Sequence, residues 1–435
     1  MSSEHLASAQ NLLKGNLAGA WDILSGAQGQ YTDLGIARRF GGAAAAYSLR
    51  DIGAMGGAVV RVRRNNDSTE EDFSANQVQA GVLEDFCDNV LTVGTAVNGT
   101  GAYDNYTFTA NGNTGFDADN SAGGVGSAGF PYSFASGDVM TVTYTVTNFS
   151  STSGLSPQIR GTNGTGSVTS LASGGTIFTA NGTYTDTLTG TADGTHLMFA
   201  DGNTGSYTIS NFAVTSHKTD GFVETWYDQS GNGNDVTQET DSRQPKIVEN
   251  GSILKEGDNP TIKFDGSDDF LQIGSQVLSN SSSGAVGLYA VVNSTASQAG
   301  YVAGSSSDDD GGKRGTSIYA ATTNFVLSNG ISASTTSQDS IPITNGSSVL
   351  VSACYNNNAT NTLQKNSDTT GYADGSAAYN FLASSSFTIG HRNRSAGTNP
   401  ATNLTGTISE VLAFNSDTTS DRDEIQSEIQ NYYNL

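Results

Sequence analysis

The run Met140-Thr-Val-Thr-Tyr-Thr-Val-Thr147 narrows the possible fold more than any other stretch of the chain. Side chains of an extended strand alternate between two faces, so Met140, Val142, Tyr144 and Val146 share one face and four threonines the other. Such a strand belongs to an antiparallel sheet that covers a core on one side and meets water on the other. Shorter strands are expected at Thr176-Ile-Phe178, Tyr184-Thr-Asp-Thr-Leu188, His196-Leu-Met-Phe199 and Tyr207-Thr-Ile-Ser-Asn-Phe-Ala-Val214. Short strands divided by Gly turns predict a sandwich or jelly roll over residues 91–216.

The flanking sequence has the same character with a different texture. Val59-Val-Arg-Val-Arg-Arg64 places Val60 and Val62 on one face and Arg61 and Arg63 on the other. Asn65, Asn66 and the acidic run Asp67 to Asp72 predict a turn, and Val82 to Cys87 resumes apolar structure. Strands are expected again at Phe222 to Thr225, Pro260 to Asp265, Gly287 to Val292, Ser348 to Val351 and Phe387 to Ile389. The chain therefore parses as an all-β protein: one sandwich, residues 41–90 and 217–435, interrupted by a second at 91–216.

Short helices are expected at both ends. Leu6, Leu13, Leu17, Trp21 and Leu24 make an amphipathic stripe that Gly15 and Gly19 weaken, so residues 1–40 read as a helical segment that anchors the chain to a neighbour or braces its own domain. At the other end Ser420 is placed to cap a helix with Asp421, Asp423 and Glu424 in its first turn and Ile425, Ile429 and Tyr432 as its apolar stripe.

Charge removes several function classes. Nineteen basic against 42 acidic residues leave a net charge of −23, which opposes nucleic-acid phosphates and anionic membrane surfaces. No stretch approaches the ~18 apolar residues of a membrane span. The opening Met1-Ser-Ser-Glu-His-Leu6 has no basic region followed by an apolar core, so synthesis in a cytosol without a secretory signal is expected. Cys87 and Cys354 are too few for a disulfide framework or a cysteine metal site. His5, His196, His217 and His391 lack the spacing of a zinc site or a catalytic triad.

Three segments, Ala46-Tyr-Ser-Leu-Arg50, Val60-Arg-Val-Arg-Arg-Asn-Asn-Asp67 and Tyr227-Asp-Gln-Ser-Gly-Asn-Gly-Asn234, resemble the concanavalin-like catalytic domain of α-L-arabinofuranosidase B and fall in that family's order. The resemblance implies a concanavalin-like β-sandwich with an inserted, carbohydrate-binding-module-like jelly roll. It also exposes losses. Retaining hydrolysis needs two carboxyl groups ~5–5.5 Å apart. Where the enzymes carry a nucleophilic Glu in Leu-Glu-Asn-Gly, this chain reads Leu327-Ser328-Asn329-Gly330. Where they carry the acid/base Asp in Gly-Gly-Asp-Asn, it reads Gly390-His391-Arg392-Asn393, and Gly300-Tyr301-Val302-Ala303 replaces their paired cysteines.

Trp226 to Asp235, Gln244-Pro-Lys-Ile-Val248, Ile262-Lys-Phe-Asp-Gly-Ser-Asp-Asp-Phe270 and the closing Ile408-Ser-Glu-Val411 with Tyr432-Tyr-Asn434 also look like the tail, fibre and head-surface proteins of bacteriophages. This second resemblance implies a non-catalytic virion surface protein that binds other virion proteins through residues 1–40, forms a homo-oligomer with a trimer as first choice, and adheres to host glycans. The alternative is an active glycoside hydrolase using acids among Asp228, Asp265 and Glu410. A free lectin-like protein is a third reading.

Candidate site residues follow. Tyr103, Tyr106, Phe108, Tyr132 and Phe134 offer aromatic faces on which sugar rings stack, unless they are core. Asp228, Asn232, Asn234 and Asp235 suit a sugar or calcium, or else fix their own turn around Gly231 and Gly233. Asp265, Asp268 and Asp269 are a candidate calcium loop without EF-hand spacing, and Asp308 to Asp310 another. No cofactor is expected, with a bound calcium ion as the one option left open.

Overall fold

A computed structural model describes residues 35–99, 107–119, 126–151, 158–165, 170–201, 205–278, 285–295, 300–306, 316–321, 324–332, 335–342, 346–356, 362–366, 386–392 and 403–435. The anchoring segment expected over residues 1–40 lies outside these except for its last residues, which include a short helix, Ile36–Arg39.

The strands pair in two groups. In the larger, strands from Ala45–Ser48 to Glu70–Ser74 and from Gly221–Trp226 to Thr405–Phe414 join one antiparallel network that curls until nearly closed, apart from Lys255–Glu256 and Asn259–Pro260, which pair with each other. Its spine is Ala285–Ser294, flanked by Val349–Asn356 and Thr405–Phe414 and buried along its whole length. Burial on both faces explains why this strand reads as a continuous apolar run. Leu288, Ala290 and Val292 join the main core, while Tyr289 and Val291 pack on the other face against Ile425 and Ile429 of the closing helix.

In the smaller group a six-stranded and a four-stranded sheet enclose a separate aromatic core. Val139–Ser151 runs through the middle of the six-stranded sheet, and Met140, Val142, Tyr144 and Val146 are all buried, as their alternation predicts. Tyr144 meets Phe199 of the opposite sheet edge to face at 4.9 Å. Among the described residues these strands, from Val97–Asn98 to Gly205–Lys218, pair only with one another, and a single bridge, Asp88 to Lys218, ties them to the chain before the insertion.

A buried polar relay stands at that junction. The Tyr132 hydroxyl accepts the Leu91 N–H and meets His217 Nδ1 at 2.9 Å, and His217 Nε2 lies 2.8 Å from Asp138. Asp138 also accepts the Thr219 hydroxyl and the Ala135 N–H. A satisfied network of this kind fixes one geometry, because any other leaves a buried group unpaired.

Two local expectations change. The acidic run after Asp67 is not all turn: Glu70–Ser74 is a strand, with Asp72 opposite Arg61 and Glu70 opposite Arg63. Opposite charges facing across the ladder suit it to pairing. The closing helix is Arg422–Tyr433, and its N-cap is Asp421 rather than Ser420. Ile425 and Ile429 are buried as expected, but Tyr433 completes the stripe, while Tyr432 lies under the Arg50 guanidinium at 4.4 Å.

Candidate functional site

A cleft of about 610 Å³ opens on the larger sheet. Its floor follows from register. Alternation along Ala58–Arg64 turns Arg63 away from Val60 and Val62, and the ladder sets Arg63 opposite Phe222, Phe222 opposite Lys246, and Lys246 opposite Lys263. All four side chains line the cleft. Four neighbouring strands thus present one row that runs ~14 Å at ~4.8 Å per strand.

Each cation in the row is held in place. Arg63 is 5% exposed; its Nε donates to Gln244 at 2.7 Å and its Nη2 to the Asp241 carbonyl at 3.3 Å. Its Nη1 has no protein acceptor among the described residues. Burial holds this guanidinium below its ordinary pKa. Lys246 reaches Asp220 at 2.7 Å and Glu249 at 3.2 Å, and Lys263 reaches Glu249 at 3.1 Å. The Phe222 ring packs against both Arg63, at 5.1 Å, and Lys246, at 5.7 Å, as cation–π partners.

Acids line the same cleft, Asp241, Asp265 and Asp269. After the strand Ile262–Asp265 the chain turns through Gly266, at φ +82°, and Asp265 donates its N–H to Asp269 at 2.9 Å. Burial first, then the negative charge of Asp265, pushes the Asp269 carboxyl up to about 7. One oxygen from each of Asp265, Asp268 and Asp269 lies within 4.8 Å of the others. Three such oxygens fit part of a calcium shell, which needs ~6–8 oxygens, so backbone and water would supply the remainder.

The other predicted site residues lie elsewhere. Tyr103, Tyr106 and Asp308 to Asp310 fall outside the described residues. Tyr132 is 2% exposed and committed to the junction relay, so the stacking face expected of it is a core ring instead. Phe134 is likewise buried, and Phe108 packs against the same core.

Asp228 accepts the N–H groups of Ala46, Ser230 and Asn234 and the Ser230 hydroxyl, which fills both its oxygens. Asn232 and Asn234 donate to the carbonyls of Ala43 and Ala44, and Asp235 accepts the Asp228 N–H. Instead of reaching for a ligand, this turn stitches itself to the chain ahead of Ala45–Ser48. Glu410, 1% exposed, is locked to Arg50 at 2.7 and 2.9 Å. Asp265 is thus the one acid of the hydrolase alternative that lines the cleft.

Sequence reasoning missed Arg63, Phe222, Lys246 and Lys263 as a set. The alternation placed Arg63 on the wet face, but which strands lie beside it is a long-range property that periodicity does not carry.

No protein-family model and no curated protein matches the sequence. Among solved structures, a SAP-like pentraxin from Limulus polyphemus aligns at 14% identity and TM-score 0.29, over 37% of this chain and 78% of that one. A Trypanosoma rangeli sialidase in complex with sialic acid aligns at 13% identity and TM-score 0.35, over 47% and 31%. A structure of botulinum neurotoxin type C, whose cell entry depends on two ganglioside molecules, aligns at 13% identity and TM-score 0.34, over 48% of each chain. The alignment spans under half of the sialidase and toxin chains. Likeness at this level leaves function to be argued from the residues of the chain itself.

Proposed function

We propose that this chain is a non-catalytic, glycan-binding adhesion protein displayed on a bacteriophage particle, as fibre, tail or head decoration. The cleft carries the glycan-binding part: an aromatic ring flanked by fixed donors, with carboxylate acceptors in the same lining, is the mixture that recognises a hydroxyl-rich ligand. Ser328 and Arg392, where the arabinofuranosidases carry their catalytic acids, support the absence of catalysis. The order of the phage-like segments supports the particle. In that setting residues 1–40 dock to other virion proteins, copies assemble as a homo-oligomer with a trimer as first choice, and calcium at Asp265, Asp268 and Asp269 is optional.

A glycan array probed with the purified protein tests the binding part. Phe222→Ala should remove the signal, and an array with no signal at all refutes it. Purified particles lacking the protein would refute the virion assignment.

One observation favours a second reading, a glycoside hydrolase. Asp269, poised near pH 7 beside Asp265, has the pairing of a general acid with an ionised partner. Against it, a glycosidase brackets the scissile bond between its carboxyl groups, whereas these two share one turn and a hydrogen bond. Release of reducing sugar that Asp269→Asn abolishes would establish this reading over the first.

A further inference from the structure

We propose that the ligand of the cleft is an acidic saccharide, a sugar bearing a carboxylate, whose anion lies along the row of Arg63, Lys246 and Lys263. The inference rests on the glycan-binding reading and names the class of sugar.

Cations are concentrated in the cleft. The chain carries 19 basic against 42 acidic residues, yet three cations meet in one row across neighbouring strands, and the fourth member, Phe222, is uncharged. Asp220 and Glu249, which hold the two lysines, are not part of the cleft lining, whereas Asp241, 3.6 Å from Arg63 Nε, is.

Among these cations is the Arg63 guanidinium. It is buried to 5% exposure, two of its nitrogens are anchored, and Nη1 has no acceptor among the described residues although the side chain lines the cleft. A donor positioned in advance, on a group that stays charged, binds a carboxylate oxygen better than a neutral hydroxyl, because charge-assisted hydrogen bonds are roughly twice as strong as neutral ones.

Acids also line the cleft: Asp241, 3.6 Å from Arg63 Nε, is 62% exposed at its side chain, and Asp265 is exposed, so water screens both.

The test uses the full chain and calorimetric titration with a set of uronate-bearing oligosaccharides, each paired with its carboxyl-reduced, neutral counterpart. At least one acidic member should bind ~10-fold or more tightly than its reduced form, as a charge-assisted contact requires. Its affinity should fall with added salt and drop several-fold in Lys263→Gln, whose side chain is 44% exposed. Equal binding of acid and reduced forms overturns the acidic-sugar inference and leaves glycan binding intact. Binding that requires added calcium and ignores Lys263→Gln also overturns it, since the metal would then hold the anion. No binding by any saccharide, acidic or neutral, overturns both readings.

Discussion

Replacing Asp269 with asparagine should stabilise the larger sandwich at neutral and alkaline pH and leave it unchanged in acid. Asp269 is 7% exposed, and burial followed by the charge of Asp265 moves its carboxyl from an ordinary 3.8 up to about 7. Below pH ~4 the carboxyl is protonated in folded and unfolded chains alike. Between pH ~4 and ~7 the unfolded chain releases the proton while the folded chain keeps it, so stability falls by ~1.4 kcal/mol for each pH step. The total loss is ~4 kcal/mol, complete once pH passes the folded value.

Asparagine has no charge to bury, and its Oδ1 can still accept the Asp265 N–H now bonded at 2.9 Å. Urea unfolding from pH 4 to pH 8, followed by tryptophan fluorescence, isolates the effect. Trp226 is fully buried in this sandwich, the second tryptophan is Trp21, and residues 91–216 contain none, so a Trp21→Phe background leaves Trp226 as the sole reporter. The two proteins should coincide near pH 4, and the variant should lead by ~4 kcal/mol at pH 8. Parallel curves for wild type and variant across the whole range would refute the reasoning.

Two further outcomes test other parts of the fold. Glu410→Gln leaves Arg50 without its anion beneath Tyr432 and Tyr433, and should cost ~3–5 kcal/mol in urea unfolding; the paired change Arg50→Met with Glu410→Leu should recover most of that loss. Tyr132→Phe strands both the Leu91 N–H and His217 Nδ1, and should cost ~1–3 kcal/mol, with faster amide exchange concentrated around residues 88–91 and 216–219.

Strand character was plain wherever one face is wet. The threonines between Met140 and Thr147, and the arginines at 61 and 63, announce their strands because a period of two survives any tertiary arrangement. Helix capping was less legible: Ser420 and Asp421 both suit the role, and the packing of Tyr433 in place of Tyr432 settles the phase of the last turn. The Asp228 to Asp235 turn shows a different difficulty, since the same Asx chemistry serves ligand or backbone, and only the approach of Ala43 to Ala46 reveals the second use. The cleft was hidden for a simpler reason. Arg63 and Lys246 are far apart in sequence, and Phe222 lies between them only because the intervening strands align in one register.

The chain departs at Asp88 and returns at Lys218, side by side. Two ends that close together form a natural recombination point: whatever lies between them can be exchanged as a cassette while the host sheet keeps its own pairing. Tyr132, Asp138 and His217 all lie between those ends, so the relay travels with the cassette. Exchange at those two ends can thus replace the inserted body and leave the remaining architecture unaltered.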